Sequence, residues 1–333
     1  MSKIINSYIK GMGYYVPDKV ISNSYFTSFM DTSDQWIRER TGISERRFVD
    51  DGQGPADIAI PAVQQALDNA NLTVNDIDFI IFATSSPDYY IPGSGCIIQE
   101  KMNFPNIGAL DIRNACAGFI FALSIADQYI KTGTFSNILI VASEVQSTAM
   151  DLSNNGRDTS VIFADGAAAT IVGATSDTKG ILSTHLHTEG KHLKELWVEA
   201  PSSKSNPKLD QKILDQGKHF LKMNGREVFK HAVKRFPEVI IEGLNHNNLT
   251  TDDIDLLIPH QANVRISNMI QKKLGLEDSQ VISNIHKYGN TTAASIPIAC
   301  CETINSNKLK KGDILVLAAF GSGFSWGSAI LKW

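Results

Sequence analysis

Residues 71–81 read NLTVNDIDFII, and residues 248–258 read NLTTDDIDLLI. Seven of these eleven positions are identical, at an offset of 177 residues, slightly more than half of the 333-residue chain. So short a match proves little alone, but its surroundings agree in kind. Each copy follows an apolar-periodic helix pattern, 56–70 (ADIAIPAVQQALDNA) and 225–244 (GREVFKHAVKRFPEVIIEGL). Each precedes a helix candidate carrying I-Q-x-K, at 98–101 and 270–273, and then a strand ending in a turn, 108–116 (GALDIRNAC) and 281–290 (VISNIHKYGN). This duplicated α-β-α-β order predicts two homologous halves, 1–176 and 177–333. Apolar runs at 78–83, 137–143, 160–172 and 313–320 read as buried strands between helices, an α/β fold with largely covered sheets. Residues 199–218 are poor in apolar side chains and read as a surface excursion or lid.

Composition narrows the function. Apolar residues make up 43% and charged residues 20%, which excludes a disordered or fibrous chain. The net charge of −4 offers no broad field for a polyanion, so nucleic acid is not expected as a partner. Four cysteines without a C-x-x-C pair form neither a disulfide scaffold nor a structural zinc site, and no metal is expected. No signal-peptide pattern and no stretch of about 18 apolar residues occurs, so no membrane association is expected and a reducing cytoplasm is the default setting.

Three residues stand where chemistry is possible. Cys116 lies where a strand turns into the helix pattern 117–131, and a thiol there feels the positive end of the helix dipole, which favours thiolate. It is open at this point between a nucleophile and a buried core cysteine. Cys300 and Cys301 fall inside a helix pattern and read as core. His260 directly follows a strand in DLLIPHQANVRIS, as a catalytic or a structural histidine. The repeat places His260 and Cys116 in corresponding neighbourhoods of the two halves. Asn290, in KYGNTTAAS, is either an N-cap or an amide donor to an oxyanion. The tail 319–327 (AFGSGFSWG) misses G-x-G-x-x-G by one position and lies between strands, which suits backbone donors to a developing charge better than a dinucleotide. His185, His187 and His192 read as surface histidines, with a metal site the lesser alternative.

These residues stand in longer motifs: G-x-G-x-Y-x-P at 11–17, TSDQWIRERTGISERR at 32–47, NACAGF at 114–119, PHQANVRI at 259–266, YGNTTAAS at 288–295 and FGSGFSWGSAIL at 320–331. Together they resemble the β-ketoacyl-acyl carrier protein synthase III family of the thiolase superfamily along nearly the whole chain. The resemblance implies a five-layered αβαβα thiolase-like fold, a homodimer, and a Cys116–His260–Asn290 triad with Cys116 as nucleophile. It implies an acyl-CoA donor, a malonyl-acyl carrier protein acceptor and no cofactor. The Cys116 and Ser322 backbones would form the oxyanion hole. Trp36 and Arg157 would sandwich the adenine of CoA, Arg40 would face a phosphate, and Asn263 would line the pantetheine path. Arg265, Lys272, Lys273 and Lys230 would receive the acidic carrier protein, although 272–273 alone read as a solvated helix face. Ile91 would reach across the dimer into the partner's acyl pocket, where relatives often carry an aromatic, so a longer or branched primer is implied. Ala164, Ala168 and Ser322 replace family glycines, and Arg226 stands where some relatives have Asn. A specialised-metabolism relative with the same triad, making a polyketide- or quinolone-type product or transferring acyl groups without decarboxylation, is the alternative.

Overall fold

The computed structural model describes residues 6–333. Its first half carries β1 (Asn6–Tyr15), the short ribbon β2 (Lys19–Ser22) and β3 (Glu45–Phe48), then β4 (Phe79–Ala83), β5 (Gly108–Ile112), β6 (Asn137–Glu144) and β7 (Gly166–Thr175). Its second half carries β8 (Gly180–Thr188), the ribbon β9 (Leu196–Val198) and β10 (Leu221–Met223), then β11 (Leu256–Pro259), β12 (Ile314–Gly321) and β13 (Ser325–Lys332). One sheet has the order β1-β7-β6-β4-β5 and the other β8-β13-β12-β11. The second order repeats the first strand for strand, and the counterpart of β5 is reduced to one parallel bridge, Leu257–Val281.

The repeated motif is turn chemistry. Asn71 and Asn248 take left-handed φ of 53° and 56°, which asparagine tolerates better than most residues. Asp76 Oδ2 accepts from the Thr73 N–H and hydroxyl, and Asp253 Oδ2 accepts from the same groups of Thr250. Asp78 then accepts from the Asn137 N–H and Asp255 from the Ile314 N–H, tying each turn to the first residue of the next strand. The identical Thr and Asp side chains are thus those that make these hydrogen bonds, and the identical Leu and Ile residues are apolar.

Strand alternation builds the layers. Ile81 and Ile140 of the first sheet face inward with Ile258, Leu315 and Leu317 of the second, onto the helices Gly118–Lys131 and Ser295–Asn305 between the sheets. Ile80, Phe82, Leu139 and Val141 face outward onto the helix Pro55–Ala70. Leu257, Val316 and Ala318 face the helices Gly225–His246 and Val264–Leu274. The result is five layers, αβαβα. Each fully buried aliphatic side chain contributes about 1.5–3 kcal/mol. Close approach is also required: a Cβ on Gly13 would lie 2.3 Å from the Ala62 carbonyl oxygen.

Of three further readings, two are corrected. The run 160–172 is not one strand: residues Arg157–Ser160 are helical and the strand begins at Gly166, because Phe163 bridges to Asn290 in the other half. The excursion 199–218 lies at the surface as read, connecting β9 to β10, closed at its base by the Ala200 N–H on the Lys218 carbonyl (3.0 Å) and the Lys218–Glu199 ion pair. Cys116 and His260 do not correspond. The mate of Cys116, 177 positions on, is Ala293, on a matching turn. His260 directly follows β11 and matches Ala83, which ends β4. Cys116 and Asn290 thus come from the two matching turns, one in each half, and His260 from the segment just after β11.

Candidate active site

Cys116 sits on the turn Ala115–Ala117, between β5 and the helix Gly118–Lys131, with Ala115 held at φ +44°. It is buried, and Gly321 at the end of β12 lies against it. A Cβ at Gly321 would come within 2.6 Å of Cys116 Cβ and 3.1 Å of its backbone nitrogen. Only glycine leaves this thiol and its N–H free. Burial, reinforced by the Glu144 carboxylate, pushes the thiol up to about 12. This corrects the thiolate expectation: desolvation and a like charge outweigh the helix terminus, and the resting side chain is a neutral thiol.

His260 continues the β11–β12 ladder, its N–H donating to the Ala318 carbonyl at 2.8 Å. Its Nδ1 lies 2.6 Å from Ser295 Oγ. A hydroxyl can donate to or accept from Nδ1, so Ser295 supports both neutral tautomers. Full burial drives the imidazole down to about 3, so the ring is neutral at physiological pH. Sequence reasoning missed Ser295, although it closes the YGNTTAAS motif.

Of the two readings of Asn290, the structure shows a local turn contact, although the N-cap itself is Thr291. Its backbone is fixed by the Ile162 carbonyl and the Ala164 N–H, both at 2.9 Å. Its Oδ1 accepts from the Thr292 N–H of that turn at 2.9 Å. Among the described residues its Nδ2 has no intramolecular partner, and neither has His260 Nε2. Both residues line a cavity of about 610 Å³ together with Cys116, Trp36, Arg40 and Asn263.

At the mouth of that cavity the guanidinium carbons of Arg40 and Arg157 each lie 5.0 Å from the Trp36 ring centroid. A ring inserted between two planes needs about 7 Å, so Arg157, now donating to the Asp31 carbonyl, must swing to admit one. Asn263 caps the helix Val264–Leu274 through Oδ1 and donates Nδ2 to the Arg40 carbonyl at 2.8 Å; its side chain is already committed. Of the basic group only Arg265 lines this cavity, with Arg226 beside it. Lys230 pairs with Glu227, Lys273 donates to the Val233 carbonyl, and Lys272 borders a separate depression two turns along the helix.

Cys116 also lines a second cavity, of about 760 Å³, with Ser85, Gln146, Thr292 and Ser322. Ser322 is not among the residues of positive φ, so its exchange for glycine carries no backbone strain. Its hydroxyl is bonded to the Leu196 carbonyl. Ala164 and Ala168 are buried. Ile91 is 81% exposed, beside exposed Tyr89 and Tyr90.

The three histidines of the H-x-H-x4-H pattern separate. His185 and His187 face Glu242, whereas His192 meets His231 and Glu189, with ligand atoms within 4.8 Å of one another. Lys191 and Arg235 already neutralise Glu189. Among the described residues no helix is long and apolar enough to cross a membrane.

A duplicated αβαβα fold with Cys, His and Asn converging on one buried cavity defines a condensing enzyme of the thiolase type. Two models of 3-oxoacyl-[acyl-carrier-protein] synthase III match, one over residues 110–190 and its C-terminal counterpart over 244–333. The chain is 42% identical over 325 residues to the β-ketoacyl-[acyl-carrier-protein] synthase III of Clostridioides difficile, covering 98% of each chain. The crystal structure of 3-oxoacyl-[acyl-carrier-protein] synthase III from Aquifex aeolicus superposes with a TM-score of 0.90 at 39% identity, over 98% of this chain and 100% of that one. The priming β-ketosynthase of the R1128 polyketide pathway superposes with a TM-score of 0.89 at 29% identity, over 98% and 96%. The chain belongs to the β-ketoacyl-acyl carrier protein synthase III family.

Proposed function

We propose that the protein takes an acyl group from acyl-CoA onto Cys116 and condenses it with malonyl-acyl carrier protein, giving the 3-ketoacyl-acyl carrier protein that starts fatty acid synthesis. The observation that carries this reading is the convergence of Cys116, His260 and Asn290 on one cavity with Trp36 and Arg40 at its mouth.

In the first half-reaction Cys116 Sγ bonds to the acyl carbon and the C–S bond to CoA breaks. The thiol is neutral beforehand, so its proton leaves as the bond forms and ends on the departing sulfur. In the second, the malonyl carboxylate leaves as CO2. The enolate oxygen left behind takes hydrogen bonds from His260 Nε2–H and Asn290 Nδ2, which strengthen as charge develops. A neutral, buried imidazole suits this role, since it donates without first losing a proton to water. The enolate carbon then attacks the acyl-Cys116 carbonyl, whose oxygen rests on the Cys116 and Ser322 N–H groups. Collapse releases the ketoester and, with uptake of one proton, the thiol. Loss of CO2 supplies the carbanion, so no cofactor enters.

Trp36, Arg40 and, after swinging, Arg157 hold the nucleotide end of CoA. Arg265 receives the carrier protein at the mouth, and the lysines further along the helix act on association rate. The working unit is a homodimer in the cytoplasm, where cysteines stay reduced. Exposed Ile91 is covered by the partner and closes its acyl pocket. The curated relatives of high identity favour this reading over the specialised-metabolism alternative. The test is product analysis: acyl-CoA plus malonyl-acyl carrier protein should give one CO2 per CoA released and a 3-ketoacyl-carrier protein. CoA release without CO2 would move the assignment to a non-decarboxylating acyl transferase.

A further inference from the structure

An acyl group on Cys116 must project away from the CoA-side cavity, and the second cavity is the space available. Part of its lining is apolar, with Val145, Phe163, Leu196 and Leu221, and part is polar. Glu144, fully buried, accepts from the Ser85 N–H, the Ser85 and Ser86 hydroxyls and Gln146 Nε2. Gln146 Nε2 also reaches Ser85 Oγ at 3.0 Å and Thr292 Oγ1 at 3.4 Å. These bonds orient the amide: its nitrogen faces the carboxylate, and its oxygen is left over. Among the described residues Gln146 Oε1 has no hydrogen-bond partner; it is not a buried unpaired atom and opens onto the cavity, where water can reach it. The Thr292 hydroxyl proton likewise finds no acceptor there. A saturated acyl chain that displaces water from Gln146 Oε1 leaves this oxygen without a donor, which is costly, whereas a hydroxyl on the chain replaces the lost bond.

From this lining, and resting on the acyl-transfer reading above, we infer that the second cavity selects a primer bearing a hydroxyl group on its acyl chain, with Gln146 Oε1 as the acceptor. The methylene end of such a primer lies against Phe163 and Leu196, and its hydroxyl against Gln146 and Thr292. Gln146 is then a specificity-determining residue of the primer pocket.

The test compares matched primers. The full-length protein is given butyryl-CoA and the two enantiomers of 3-hydroxybutyryl-CoA. CoA release gives kcat/KM, and intact mass gives the adduct on Cys116. One hydroxy enantiomer should exceed butyryl by about tenfold, the value of one hydrogen bond gained. Gln146→Leu should bring that ratio to one or below. Gln146→Met serves if the leucine variant fails to melt cooperatively, and the wild-type ratio needs neither variant. Acylation by butyryl-CoA as fast as by both enantiomers, or a ratio unmoved in the folded variants, overturns the inference and leaves acyl transfer standing. No adduct from any acyl-CoA overturns both.

Discussion

Cys116 and Ala293 sit 177 residues apart on two turns of matching backbone, with Ala115 at φ +44° and Thr292 at +48°. What crosses each turn differs. Opposite Cys116 runs the end of β12, Gly321 and Ser322. Opposite Thr292 runs the end of β6, Glu144 and Gln146, and position 144 is again 177 before 321. One crossing is kept empty by glycine, so a thiol and two N–H groups stay open to a substrate. The other is filled by a carboxylate and an amide, which build a polar wall. A duplicated frame has been divided into a reacting side and a shaping side.

The largest effect should come from moving the nucleophile. Cys116→Ala removes the acyl adduct in intact-mass analysis and cuts turnover on the order of 10⁴-fold or more. Adding Ala293→Cys should not restore it, since that turn faces Glu144 in place of glycine. Recovered acylation would show the two sides to be equivalent. Gly321→Ala comes next. The added methyl collides with Cys116, and a misplaced oxyanion donor should cost about 10²–10³ in kcat. Unchanged kcat with normal folding would remove Gly321 from the account.

His260→Ala and Asn290→Ala should slow CO2 release by about 10²–10³-fold while acylation of Cys116 falls far less. Equal loss of both steps would end the division of labour. Trp36→Ala should raise KM for acyl-CoA by about tenfold at nearly constant kcat, and leave a short acyl thioester lacking the nucleotide unaffected.

The smallest effect concerns pH. His260 in the folded chain protonates only near pH 3, below its ordinary 6.5. The unfolded chain therefore takes up a proton first, and stability falls as pH drops from about 6.5 to 3, by at most about 1.4 kcal/mol per pH unit. Denaturant melts of His260→Gln should show a shallower slope in that window. An unchanged slope would mean that the ring already titrates in the folded chain.

The duplication was legible because Asn71 and its mate take the left-handed φ of the turn, and Thr73, Asp76 and Asp78 with their mates make its hydrogen bonds. The triad was legible because each member lies in a short turn segment with small or polar neighbours, next to a helix or strand end. What crosses the turns was not: Gly321 beside Cys116 and Gln146 beside Thr292 are contacts between halves, more than 140 residues apart. The thiol's charge state was misjudged for the same reason. The helix terminus is local in sequence, whereas the burial and Glu144 that oppose it come from the packed sheets. Ser295 under His260 needed the turn after Asn290 to bring the next helix beneath β11.

The most direct measurement is the intact mass of the protein after incubation with a panel of acyl-CoAs, then after addition of malonyl-acyl carrier protein, with Cys116→Ala as control. The account predicts one acyl adduct per chain, absent in the control, discharged by the malonyl thioester with release of CO2 and formation of a 3-ketoacyl-carrier protein. No adduct from any acyl-CoA, or an adduct that malonyl-acyl carrier protein cannot discharge, would contradict it.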